Sequence, residues 1–153
     1  MRNLKKSNIA KVISVIFILF LIIGMCSLIF LPCLYDTFKE PNVKLFKEHT
    51  VAYQVAFYSC YVLTLGIVYK LAGLFECVYK GSPFNKRVEK ALKVSAILFM
   101  LIFIIIIIKT IFIPTLLSFA VAFVCFVASL SFYVLAEVIK SAIQYKNEID
   151  YTV

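Results

Sequence analysis

The chain has 153 residues, which is room for one domain and no second module. Its hydrophobic fraction is 63% and its mean hydropathy is +1.01, whereas an ordinary soluble domain is roughly 45–50% apolar. A soluble core of this size would not hold so much apolar surface, so a soluble globular class is excluded. In a membrane protein, most of the residues that give the net charge of +8 should lie outside the membrane spans.

The apolar residues fall into four runs of the length that a membrane helix needs. A helix crossing a hydrocarbon core of roughly 30 Å requires about 20 mostly uncharged residues. We predict spans at about 9–34, 51–70, 94–113 and 116–138. These are solid runs and not the short alternating segments of a membrane β-barrel, and an open-ended segment in lipid must be helical to satisfy its own backbone. The sequence therefore predicts an all-α, integral membrane four-helix bundle.

The first run has a basic start like that of a secretory signal peptide, with Arg2, Lys5 and Lys6. Its apolar stretch exceeds the roughly 7–15 residues of such signals, and residues 33–35 offer no small-residue cleavage site. We expect a membrane anchor that is not removed.

The basic residues predict the orientation. Four lie at the amino-terminal end, five between spans two and three, and two after span four, whereas the opposite side holds three. Because Lys and Arg are retained on the cytoplasmic side, we predict an antiparallel, N-in/C-in arrangement. The positive charge then reflects topology and attraction to anionic inner-leaflet lipid, and it forms no separate domain for direct nucleic-acid binding.

Two of the helices are predicted to extend beyond the membrane. Span two reaches the inner boundary near Lys70 and span four reaches it near Glu137, yet the helical pattern continues past both, in span four through Tyr145. Helices 2 and 4 should therefore project into the cytoplasm, and residues 139–153 should form a cytoplasmic tail. Glycine at position 81 suits a helix end, and asparagine at position 85 suits the cap of the next helix.

The remaining connections are short. Residues 35–50 form an external loop, and Pro114 with Thr115 forms a tight turn that makes spans three and four a hairpin.

Small residues repeat along one face of span two and one face of span four. In lipid, small side chains let helix backbones approach closely. We therefore predict that helices 2 and 4 face each other, although chance is the alternative because small residues are common in such helices. The two sets are Ala52, Ala56, Ser59, Gly66 and Gly73, and Ser118, Ala122, Cys125, Ser129 and Ala136.

Residue types that carry chemistry do not form a recognisable motif. His49 stands alone, the five cysteines contain no C-x-x-C pair, and no phosphate loop, H-E-x-x-H or G-x-S-x-G occurs. We predict that the protein is not an enzyme and that it has no catalytic residues, no cofactor and no metal site.

Two glutamates, Glu76 and Glu137, lie at the predicted inner boundary. A proton relay is one interpretation, but structural ion pairs are favoured because both lie at the interface and not in mid-bilayer. We expect these glutamates to pair with Lys70 or Lys140. If helices 2 and 4 are neighbours, Lys70 pairs with Glu137, and Glu76 with Lys140 is the competing arrangement.

Two segments resemble a known family. Residues 78–85, Val-Tyr-Lys-Gly-Ser-Pro-Phe-Asn, look like the K-G-x-P-F signature that follows the second span of small bacterial membrane proteins in domain-of-unknown-function family 2975. Residues 135–139 and 145–153 are similar to the family's L-A-E-V … K-E-E-N-D-L-T-I ending, although Ile149 and Tyr151 stand where the family often has asparagine and leucine. The resemblance implies a four-span protein of the bacterial cytoplasmic membrane, often encoded beside a small helix-turn-helix regulator of the Cro type. The resemblance implies no enzymatic reaction and no catalytic residues.

Both segments fall in the predicted cytoplasmic stubs, where lipid does not explain a sequence preference. Phe84, Asn85, Glu148 and Asp150 are therefore candidates for docking a partner, although Phe84 has a second interpretation as a packing wedge between helices 2 and 3. The leading hypothesis is a non-enzymatic membrane protein that tethers or senses for a small cytoplasmic helix-turn-helix regulator.

Two other functions stay open. One is a self-protection (immunity) protein against a membrane-active peptide or toxin. The other is a small transporter or channel, which Lys70 and Lys109 would serve inside the spans. Self-association into a homo-oligomer also stays open.

Overall fold

The computed structural model describes residues 2–38, 50–80, 84–112 and 114–151. Nearly all of these residues are helical, and no strand occurs among them. The predicted all-α class is therefore confirmed. The four helices are α1 (Arg2–Phe38), α2 (Thr50–Tyr79), α3 (Lys86–Phe112) and α4 (Leu116–Tyr151).

All four helices are long and apolar enough to cross a membrane. Large apolar side chains also cover their outer surfaces; Leu116 is 89% exposed and Ile111 is 75% exposed. A monomer in water would not leave so much contiguous apolar surface uncovered, whereas lipid covers it without cost. The chain is a multi-pass membrane protein.

Helix α3 begins directly after Asn85, which caps it as predicted. The Asn85 carbonyl accepts a hydrogen bond from the Val88 N–H at 2.9 Å, and its side-chain Oδ1 accepts one from the Arg87 N–H at 3.4 Å. These bonds satisfy donors that the first helical turn leaves free. The predicted helix end at Gly81 lies outside the described residues.

Helix α4 begins with a similar cap after Pro114. The Thr115 carbonyl accepts a hydrogen bond from the Ser118 N–H at 3.0 Å, and the two hydroxyls are 2.5 Å apart. A short connection between long helices brings α4 back against α3.

Helices α2 and α4 continue beyond the predicted inner boundary. Helix α2 runs past Lys70 to Tyr79, and α4 runs past Glu137 to Tyr151, further than the expected Tyr145. The continuation of both helices is therefore confirmed, and the tail is helical for most of its length.

The helices pack in chain order: α1 on α2, α2 on α3, and α3 on α4. Among the described residues, no close backbone contact joins α2 to α4, so the predicted close approach of helices 2 and 4 is wrong. The described side chains of these two helices meet in buried clusters that α3 shares. The short turn at Pro114 keeps the start of α4 beside the end of α3, the helix on which it packs. Small residues permit close approach to any helix and do not select a partner.

The small-residue face of α4 is buried, but it faces α3. The Ser129 hydroxyl donates a hydrogen bond to the Ala96 carbonyl of α3 at 2.9 Å, and Ala136 is fully buried against Val88. On α2 the predicted face is not the buried one, since Gly73 is exposed while Ile67 is buried.

Two buried clusters hold α2, α3 and α4 together. The first contains Ile67, Ile102 and Cys125, one from each helix. The second contains Val88 and Leu92 of α3 with Ala136 of α4, packed against side chains of all three helices.

Helix α1 joins α2 through a close approach at Gly24. The Gly24 carbonyl accepts hydrogen bonds from the hydroxyls of Ser27 and Tyr61, each at 2.9 Å, and these two hydroxyls also contact each other. Further along, Phe17 stacks on Phe75 with ring centroids 5.2 Å apart.

Candidate functional site

The polar side chains that the sequence singled out lie largely at one end of the molecule, which we call the base. The base is the end where α2 finishes, α3 begins, and Glu137 of α4 meets Lys93 of α3. The Lys93 ammonium is 3.3 Å from the Glu137 carboxylate, and the Lys140 ammonium is 3.4 Å from it. Glu137 therefore joins α4 to α3 at the base.

Of the two expected cations, Lys140 does pair with a glutamate, Glu137, whereas the specific pairs Lys70 with Glu137 and Glu76 with Lys140 were wrong. Glu137 pairs with Lys93 and Lys140 and not with Lys70, because α4 packs closely on α3 and has no close backbone contact with α2. Glu76 pairs with Lys80 at 2.6 Å, one turn along its own helix, and not with Lys140. Side chains four apart on a helix are neighbours, which makes this local pair the accessible one. The hydrogen bond to Glu76 raises the pKa of Lys80 above its ordinary value.

A cavity of about 540 Å³ opens at the base between α1, α2 and α3, and we call it the basic pocket. Its lining contains three cations and one carboxylate, together with an amide and a set of apolar side chains. The residues are Ile18 and Leu21 from α1; Tyr69, Lys70, Ala72, Gly73, Leu74, Glu76, Cys77 and Lys80 from α2; and Asn85, Arg87 and Ala91 from the start of α3.

Two of the three cations in the basic pocket form no ion pair with a carboxylate that the structure describes. Glu76, the carboxylate of the pocket, is engaged by Lys80. Neither Lys70 nor Arg87 forms an ion pair with any side chain that the structure describes. The Lys70 ammonium lies 5.6 Å from the centroid of the Tyr69 ring. The pocket thus holds three positive charges against the one negative charge of Glu76, and Lys70 and Arg87 come from two different helices.

Sequence reasoning identified Lys70, Glu76 and Asn85 but did not place them in one cavity, and it missed the contribution of Arg87. A usable signal was present in the spacing. Residues 70, 73, 77 and 80 follow each other at three and four positions, which places them on one face of α2. The contribution of α3 follows only from the turn that brings its first residues beside the end of α2.

The candidate docking residues are arranged around the same end. The Phe84 side chain is 51% exposed, while Asn85 is half-buried in the wall of the basic pocket. Glu148 is exposed on the last turns of α4. Asp150 belongs to the same helix, and its side chain is outside the described part of the structure. No described contact brings Phe84 and Glu148 together.

Lys109, the other cation within the spans, lies near the opposite end of α3. Its ammonium donates a hydrogen bond to the Ser118 hydroxyl at 2.7 Å and lies 4.9 Å from the centroid of the Tyr53 ring. It lines a separate cavity of about 500 Å³ between α2, α3 and α4. Lys70 and Lys109 therefore line different cavities and not one shared path through the described helices.

Within the described residues, no group of three or more His, Cys, Asp and Glu side chains is placed to hold a metal ion. The described cysteines Cys26, Cys60, Cys77 and Cys125 are free thiols. His49 lies outside the described residues.

Comparison with protein-family models, with curated proteins and with solved structures gives no match for this chain. The resemblance to domain-of-unknown-function family 2975 stays a prediction, and it rests on the residues around Phe84 and on the end of α4.

Proposed function

We propose that this chain is a non-enzymatic protein of the bacterial cytoplasmic membrane whose base binds a small cytoplasmic helix-turn-helix regulator, as a tether or as a sensor. The exposure of Phe84 is the observation that carries the proposal. Phe84 is 51% exposed, next to a helix cap and between Lys80 and Lys86 in the sequence, so half of its side chain is left uncovered by the fold. Exposed aromatic side chains are enriched where proteins bind one another.

The proposal places the base in the cytoplasm through an antiparallel, N-in/C-in topology. Contacts between α3 and α4 support the antiparallel arrangement. Phe99 of α3 packs on Phe132 of α4, and further along α3, Phe103 packs on Phe126, which lies earlier in α4. The concentration of Lys and Arg at the base supports its cytoplasmic location.

The far end of α4 supports a docking role as well. Tyr145 and Ile149, one turn apart on the helix, are 68% and 64% exposed. They lie well beyond Glu137, past the inner boundary in the proposed topology, so water and not lipid surrounds them. An exposed apolar pair on a helix that continues into water is a surface that a partner can cover.

The experiment first determines whether a small helix-turn-helix regulator is encoded beside this gene, as the proposal expects, and then measures whether that regulator sediments with membranes. The full chain should retain the regulator in the membrane fraction. Phe84→Ala, and separately deletion of residues 147–153, should release it without reducing the amount of inserted protein, because insertion energy resides in the apolar spans. Phe119→Ala is the matched control, since Phe119 is 56% exposed near the opposite end of α4.

Two outcomes would contradict the proposal. If the regulator stays soluble with the intact protein present, the tether is wrong and self-protection against a membrane-active peptide becomes the leading function. If Phe84→Ala prevents accumulation of the protein while Phe119→Ala does not, Phe84 is a packing residue and the signature describes the fold.

A further inference from the structure

The basic pocket is open towards the membrane on one side. Helix α1 packs on α2, and no close backbone contact joins it to α3 among the described residues. The floor of the gap between α1 and α3 includes Gly73, where an added β-carbon would meet no atom within 4 Å. Lipid can therefore enter the gap sideways.

The two parts of the pocket differ in chemistry. Its wall from α1, formed by Ile18 and Leu21, is apolar, and Ile18 is 48% exposed on the lipid-facing surface. Its other parts present the ammonium of Lys70 and the guanidinium of Arg87, neither of which forms an ion pair with a described carboxylate. Glu76, which already pairs with Lys80, is the one carboxylate in the lining, so positive charge is in excess. An occupant that matches both parts has an anionic group joined to an apolar chain.

We propose that the basic pocket is a binding site for the phosphate head group of an anionic phospholipid, whose acyl chain lies in the gap between α1 and α3. Arg87 presents a planar set of N–H donors that matches phosphate oxygens, and Lys70 adds a point charge from the neighbouring helix. The location suits the cytoplasmic leaflet, where basic pockets between membrane helices meet anionic lipid. The site does not depend on the regulator.

Lipid is favoured over a soluble anion because of the apolar wall. A free phosphate would use the charged part of the pocket and leave Ile18, Leu21 and the space above Gly73 unfilled. In a bilayer that space is filled by an acyl chain, and the chain brings its head group to the level of Lys70.

The test relies on the absence of tryptophan from the chain. Tyr69 lines the pocket and is 64% exposed, so Tyr69→Trp places a single fluorophore at the site. The full-length variant is reconstituted in phosphatidylcholine vesicles that contain a small fraction of brominated phosphatidylglycerol or of brominated phosphatidylcholine. We expect the brominated anionic lipid to occupy the site about fivefold more often at equal fraction, and so to quench more strongly.

Charge variants made in the Tyr69→Trp protein identify the groups responsible. Arg87→Gln and Lys70→Gln should each remove most of the preference for anionic lipid. Lys90→Gln removes the same charge from an exposed position one turn along α3 that does not line the pocket, and it should leave the preference unchanged. Arg87 is exposed on the first turn of α3, so its substitution does not disturb the buried clusters.

A second fluorophore position tests whether the preference is local. Tyr133 is 54% exposed on α4, outside the basic pocket, and Tyr133→Trp should be quenched equally by the two lipids. Equal quenching at position 69 overturns the proposal, and so does a preference that survives the combined Arg87→Gln and Lys70→Gln change. Loss of the preference when excess glycerol phosphate is added would assign the pocket to a soluble anion instead.

Discussion

At the scale of single residues, the contact between α1 and α2 depends on the absence of a side chain at Gly24. A β-carbon there would lie 2.5 Å from Cδ2 of Leu65, so the neighbouring side chain would have to move. We expect Gly24→Val to destabilise the protein by about 1–3 kcal/mol through overpacking. The measurement is unfolding of the purified protein in mixed micelles with increasing denaturing detergent.

Gly73→Val is the matched control for this prediction. It introduces the same side chain into a helix of the same kind, where an added β-carbon meets nothing within 4 Å. A loss of stability for Gly73→Val as large as that for Gly24→Val would attribute the effect to helix propensity and not to the contact with Leu65.

The hydrogen bond from Ser129 to the Ala96 carbonyl makes a second prediction at this scale. It is buried and joins two helices at 2.9 Å. Interhelical polar contacts in membranes average about 0.6 kcal/mol, so Ser129→Ala should cost about that much in the same unfolding assay. Ser131→Ala is the comparison, because the Ser131 hydroxyl bonds within its own helix to Val127 and is exposed. An equal loss of stability in the two variants would show that the interhelical hydrogen bond adds no stability.

Single residues were predictable where their role is local. Asn85 was recognised as a helix cap because capping depends on residue type and on the next turn alone. The exposure of Phe84 and the partner of Lys109 were not predictable, since each depends on which helix lies beside it. The Ser118 hydroxyl, which accepts a hydrogen bond from the Lys109 ammonium, lies nine residues after Lys109 and on the other side of the Pro114 turn.

At the scale of helices, the sequence identified the buried face of α4 and misassigned its partner. Ser118, Ala122 and Ser129 are buried as a small-residue face should be. Nothing in their pattern specifies α3, because small residues permit approach by any helix. The turn at Pro114 makes that choice, and it acts through chain connection and not through periodicity.

The ion pairs at the base give a prediction at the same scale. Lys93 and Glu137 should be energetically coupled because they join α3 to α4 at 3.3 Å, whereas Lys70 and Glu137 should not be coupled. Double-mutant cycles with Lys93→Gln, Lys70→Gln and Glu137→Gln measure both couplings by detergent unfolding. The Lys93 coupling should shrink in high salt, since both groups are partly exposed. Coupling of Lys70 and not Lys93 would contradict the packing of α4 on α3.

At the scale of the whole molecule, composition predicted more than motifs did. A bilayer allows few backbone structures, so four long apolar runs predict four helices almost without reference to side-chain detail. Their order of packing and the basic pocket depend on particular contacts such as Gly24 with Tyr61, which composition does not encode. The candidate site was therefore predicted as separate residues near a boundary and not as a cavity.

The orientation of the molecule is the last prediction. With the native cysteines replaced, single cysteines are introduced by Lys86→Cys and Gln144→Cys at exposed positions of the base, and by Lys44→Cys in the predicted external loop, outside the described residues. A membrane-impermeant thiol reagent applied to intact cells should label position 44 and leave positions 86 and 144 unlabelled until the cells are opened. The excess of Lys and Arg at the base predicts this result, because those residues resist translocation. Labelling of positions 86 and 144 in intact cells, with position 44 silent, would invert the topology. The docking surface around Phe84 would then face away from any cytoplasmic regulator.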